Sequence, residues 1–253
     1  ASMKPHHLTT HLLRWAAPVG LALATLTTPA AAFEASNTEC IAPAGAGGGW
    51  DFTCRQIGKA LQDLKLIPGT MQVVNKAGGG GGVAYAEVVN KRNAENNLIV
   101  AASSATSSRL ALGAFPGNTM AQVRWLASVG ADYGIIAVAK DSPLKTLPDL
   151  IKQMKADPKS VSFAGGSAVG GWDHLKVLIT AKKAGIADVR TVKYIPFDGG
   201  GEAVTQLLAG KVQAFTGDAS EAKGFVDAGS IKVLAVLAPE RLAGDFSAFP
   251  TAK

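Results

Sequence analysis

Glu39-Cys40-Ile41-Ala42-Pro43-Ala44-Gly45-Ala46-Gly47-Gly48-Gly49-Trp50-Asp51-Phe52-Thr53-Cys54 passes from a short apolar run through a glycine-rich loop into residues of helical period. Cys40–Ala42 reads as a strand, and Cys54, Ile57, Leu61 and Leu64 fall on one face of the following helix. The loop therefore lies at the C-terminal end of the strand. The unit recurs: Met71–Asn75 runs into Gly78–Gly82, and Leu98–Ala102 into Ser103–Ser108. Such alternation predicts an α/β fold with largely parallel sheets.

Downstream, Trp125–Val129 and Ile135–Ala139 read as strands, the second crossing into a further lobe that begins near Lys140. There Thr146-Leu147-Pro148-Asp149 starts a helix. Val161–Ala164 leads to loop Gly165–Gly171 and a helix through His174, Leu175, Leu178 and Ile179. Val192–Ile195 leads to Phe197–Gly201, Val212–Phe215 to Thr216–Glu221, and Ile231–Leu237 forms another strand. Open α/β sheets bind ligands beyond the carboxyl ends of their strands. Two lobes carrying polar, glycine-rich loops at those ends predict a cleft between them.

Composition narrows the function classes. The 253 residues leave room for one large or two modest domains, and 47% hydrophobic with 17% charged residues describe an ordinary globular interior. Aromatic residues at 6% leave little for stacking nucleic-acid bases, so no nucleic-acid partner is expected. The formal charge of +6 includes Lys4 and Arg14; without them it is +4, dispersed along the chain rather than gathered into a basic patch.

Lys4–Arg14 is a cationic start, Trp15–Thr27 is apolar, and Ala30-Ala31-Ala32 is a small-residue cleavage site, so residues 1–32 read as an export signal. The apolar run is too short to span a membrane, and none of spanning length follows. Cys40 and Cys54 suit an oxidising compartment, either as a disulfide or as two separate reduced thiols.

The loops have anion-binding chemistry. Gly45–Asp51 joins a strand to a helix, where free N–H groups and the helix dipole hold an anion and glycine admits close approach. The rival reading is a tight turn, with Asp51 as a helix cap. Gly78–Gly82 is either a second amide concavity or a flexible turn. Ser103-Ser104-Ala105-Thr106 offers hydroxyls for carboxylate oxygens, or a helix cap. Arg109, three residues past that loop, is either a carboxylate clamp or a solvent-facing side chain. Gly165–Gly171, Phe197–Gly201 and Gly217–Ser220 are the facing lobe's counterparts.

Enzyme templates fail. Gly165-Gly166-Ser167-Ala168-Val169 has valine where a nucleophile elbow needs glycine, and neither Gly45 nor Gly78 opens a dinucleotide fingerprint. His6, His7 and His11 fall in the leader, leaving His174 alone for base or metal-ligand work. No catalysis, cofactor or metal is expected. A Ser167-dependent hydrolase and a receptor feeding a sensor kinase remain as rival readings.

Glu39–Ala44 followed by Gly47–Asp51 resembles the substrate-binding proteins of tripartite tricarboxylate transporters, the Bug receptor family, and is most similar to their citrate-binding branch. The likeness continues through Asn75–Gly82, Ala101–Thr106, Lys140-Asp141-Ser142-Pro143, Gly165–His174, Pro196–Glu202 and Pro239-Glu240-Arg241. The resemblance implies a two-lobed periplasmic binding protein of type II. Its lobes would span residues 33–138 and 139–240, with residues 241–253 starting a segment that returns to the first lobe. Family members continue past that point, so the C-terminal part of the fold is expected to be missing.

The implied function is capture of citrate or a related carboxylate by a soluble periplasmic monomer that delivers it to integral-membrane transporter subunits. Carried over by motif, the ligand contacts are Gly48, Gly49, Trp50, Asp51, Gly80, Ser103, Ser104 and Thr106 in the first lobe. Ser167, Ala168, Gly170, Asp198 and Asp218 lie opposite.

Overall fold

The computed structural model describes residues 35–253; the expected export signal lies outside the described residues. Strand β1 (Glu39–Ala42) leads into helix α1 (Gly49–Asp63), β2 (Gln72–Asn75) into α2 (Gly82–Lys91), and β3 (Leu98–Val100) into α3 (Ser104–Ala111). The three strands form a wholly parallel sheet in the order β2-β1-β3, with Cys40 opposite Val73 and Ile99. Parallel strands require crossover connections, and α1 and α2 supply the two within this sheet.

The second sheet is built from β4 (Gly134–Ala139), β5 (Ser162–Gly165), β6 (Lys193–Pro196), β7 (Ala214–Asp218) and β8 (Ile231–Val236), in the order β6-β5-β7-β4-β8. Helices α4 (Leu147–Ala156), α5 (Trp172–Lys183), α6 (Gly200–Leu208) and α7 (Ala219–Asp227) connect them. β5 runs parallel to β6 and β7, whereas β4 is antiparallel to both β7 and β8. The first sheet thus ends at β3, and β4 lies wholly in the second.

Alternation along the strands divides the larger core in two. Ile135, Ala137, Phe215 and Val233 pack against Ala203, Val204 and Leu207 of α6. Ile136, Val138, Phe163 and Leu234 face the other way, against Leu150 and Met154 of α4 and Val177 of α5. In the smaller sheet Cys40, Ala42 and Ala101 pack on Cys54, Ile57 and Leu61 of α1. Cys40 and Cys54 are joined as a disulfide with Cα atoms 5.7 Å apart, tying β1 to α1.

The segment Trp125–Val129, read as a strand, forms none. Its apolar side chains are exposed, Leu126 at 68% and Val129 at 61%, with no ladder partner among the described residues. Strand-like composition produces a strand only where a neighbouring edge takes up its backbone groups. At the chain's end Thr251 makes a parallel bridge with Val236, extending the β8 edge.

Candidate functional site

The strand-to-helix loops of both sheets border one cavity of about 360 Å³. From the first sheet come Pro43, Trp50, Gly78–Gly81, Ala105 and Arg109; from the second come Gly166–Val169, Gly171, Trp172, Pro196–Asp198 and Glu202. Each set follows the C-terminal end of a strand, as parallel α/β topology dictates.

Gly48-Gly49-Trp50-Asp51 and Gly170-Gly171-Trp172-Asp173 are the same four residue types, each at the start of a helix, α1 and α5. In both, the tryptophan borders the cavity while the aspartate turns inward and is buried. Asp51 accepts from Arg55 Nε at 2.9 Å, Gly47 N–H at 3.0 Å and Asn75 Nδ2 at 2.9 Å. Burial alone would raise its pKa, but these bonds hold it below the usual carboxylate value. Asp173 accepts from Lys176 Nζ at 2.8 Å and from the Ser167 hydroxyl at 3.0 Å. The repeated motif therefore sets a buried anchor under each cavity tryptophan.

Arg109 reaches the cavity from α3. Its Cζ lies 5.9 Å from the Phe115 ring centroid, and its Nε is buried with no hydrogen-bond acceptor. Gly80 makes room for it. A Cβ at residue 80 would stand 2.6 Å from Arg109 Nε, and its φ of +64° disfavours any side chain. Across the cavity, the Ser167, Ala168 and Val169 amides donate to no acceptor among the described residues. Gly166 permits this loop's close packing, since a Cβ there would meet Gly200 N at 2.5 Å.

The glycine amides of the first loop have acceptors inside the protein. Gly45 N–H donates to Asp198 O at 2.6 Å, Gly47 N–H to Asp51, Gly48 N–H to Gly45 O at 3.1 Å, and Gly49 N–H to Glu221 Oε1 at 2.8 Å. These four glycine donors are thus used within the protein, and two of them join the loop to segments of the second sheet. Glu221 is half-buried and also accepts from Asp218 N–H at 3.0 Å. Burial, followed by repulsion from Asp173 and Asp218, pushes its pKa up to about 8.

Of the residues named from sequence, Trp50, Gly80, Ser167, Ala168 and Asp198 border the cavity. Gly48, Gly49 and Asp51 make the internal contacts just described. Ser103 and Thr106 form a capping box at the start of α3, Ser103 Oγ accepting from Ala105 N–H at 3.2 Å and Thr106 Oγ1 from Ser103 N–H at 3.3 Å. Ser104 is exposed outside the lining. Gly170 N–H donates to His174 Nδ1 at 3.0 Å, and Asp218 pairs with Lys176. His174 also stacks on Tyr194, and burial lowers its pKa.

Sequence reasoning named Arg109 without choosing it and passed over Trp172 and Glu202, both in the lining. The repeated Gly-Gly-Trp-Asp was the available signal for Trp172. The Ser167 hydroxyl donates to Asp173, which in turn pairs with Lys176. Burial would lower the Lys176 pKa, but Asp173 and Asp218 raise it above its ordinary value, keeping the amine protonated.

Residues 54–253 match the family described as "Tripartite tricarboxylate transporter family receptor". Protein BugT of Bordetella pertussis is 29% identical over 248 residues, which cover 95% of this chain and 73% of BugT. Two solved structures share the fold. The periplasmic binding protein BugD aligns with TM-score 0.68 and 20% identity over 85% of this chain and 69% of its own. MatC of Rhodopseudomonas palustris, with bound malate, aligns with TM-score 0.70 and 20% identity over 85% and 71%.

Proposed function

This chain belongs to the tripartite tricarboxylate transporter receptor family, and from that premise we propose that it is a periplasmic receptor enclosing a small organic carboxylate in the cavity between its two sheets. It delivers the bound carboxylate to integral-membrane transporter subunits. The observation that carries this reading is the pairing of an unpartnered Arg109 guanidinium with free Ser167–Val169 amides around one cavity. A guanidinium clamps a carboxylate bidentately, and loop amides complete its hydrogen bonds. Citrate and the malate bound by MatC are two members of the ligand class to be tried.

Thermal unfolding with citrate, isocitrate, malate, adipate and amino-bearing carboxylates tests the proposal. A ligand at 100 times its Kd stabilises by about 2.7 kcal/mol, or about 5–10 °C in Tm for a chain of this size. An unchanged Tm with every acid contradicts the reading.

A further inference from the structure

The cavity is bipolar. Arg109 is its cation, and no carboxylate pairs with it among the described residues. Asp198 and Glu202, from the loop and first turn of α6, bring two carboxylates to the same lining. The described residues offer these carboxylates no cationic partner; Glu202 Oε2 accepts only a long bond, 3.4 Å, from Asp198 N–H. Trp50 and Trp172 border the space, together with Phe197. Ionised side chains thus give the lining one positive and two negative charges.

A trianion such as citrate would satisfy Arg109 and then set its other carboxylates near Asp198 and Glu202, where like charges repel. A ligand with a carboxylate at one end and a proton-donating group at the other meets both poles.

We infer that the ligand is an amino- or amide-bearing carboxylate, its carboxylate against Arg109 and its donor group against Asp198 and Glu202. This rests on the receptor reading and narrows it from carboxylates at large to donor-bearing ones.

Calorimetric titration with matched pairs tests it: 4-aminobutyrate against glutarate, and 4-(aminomethyl)benzoate against terephthalate, with citrate alongside. The amine of each pair is expected to bind about tenfold or more tighter than its dicarboxylate counterpart. The doubly substituted D198N/E202Q protein is expected to lose that preference while retaining carboxylate binding. Arg109→Gln is expected to weaken both members of each pair. Unliganded melting of all variants establishes that they fold. Dicarboxylates or citrate binding as tightly as the amines, or a preference unmoved by D198N/E202Q, overturns the inference and leaves the receptor reading standing. Absence of binding by every acid, amines included, overturns the receptor reading beneath it.

Discussion

The Gly49 N–H at the start of α1 donates at 2.8 Å to Glu221 Oε1, a carboxylate 172 residues further along the chain. One bond thus links the glycine loop after β1 to the helix after β7, with Glu221 half-buried between them. An ionised carboxylate suits a helix N-terminus, but burial and the nearby Asp173 and Asp218 favour the protonated form and push its pKa up to about 8.

The sign of the pH dependence follows. A carboxyl whose folded pKa lies above its unfolded value of 4.5 binds its proton more tightly when folded. Its contribution is fully present below 4.5 and is lost as pH rises toward about 8. Tm is expected to fall as pH rises from about 5 to about 8 and to level off above that. Glu221→Gln, which keeps an acceptor for Gly49, is expected to flatten the fall; an equal slope in the variant contradicts the assignment. Asp218, also raised by burial, adds a residual slope of the same sign.

Lys176 is buried between Asp173 and Asp218 and donates as well to Gly217 O at 3.0 Å. Replacing it with methionine preserves bulk but strands two carboxylates. Urea unfolding of Lys176→Met is expected to show a loss of about 3–5 kcal/mol. A loss below about 1 kcal/mol would show that the ion cluster is dispensable.

The Cys40–Cys54 disulfide closes a 14-residue separation around the glycine loop and Trp50. Loop-closure entropy assigns it about 3 kcal/mol. The double Cys40→Ala, Cys54→Ala variant is expected to melt about 6–12 °C lower, and an unchanged Tm contradicts this.

Gly80→Ala probes the cavity wall. At φ +64°, with Arg109 Nε only 2.6 Å from the added carbon, the methyl displaces the guanidinium. Affinity for any carboxylate that binds the parent is expected to fall about tenfold or more, with about 1 kcal/mol lost in stability. Unchanged affinity would remove Arg109 from the site.

The βα units were legible because local signals define them: glycine loops punctuate β1, β2 and β5, and apolar spacing marks α1. Pairing was not. Trp125–Val129 has strand composition but no partner edge among the described residues, and β4 lies antiparallel between β7 and β8 through contacts made far along the chain. The site divides the same way. Loop positions at strand ends were readable, so Trp50, Gly80, Ser167 and Asp198 fall in the lining. The acceptor for Gly49 was not, being a distant glutamate, nor was the internal capping of Ser103 and Thr106 distinguishable from ligand binding. Arg109 was readable as a cation, but only the fold brings it against Gly80.

Calorimetric titration of the parent protein and Arg109→Gln with the carboxylate panel tests the central claim most directly. Binding of at least one acid at one site per chain is expected, weakened about tenfold or more by the substitution. No heat and no competition with any acid, or binding indifferent to Arg109→Gln, would contradict a carboxylate held in this cavity.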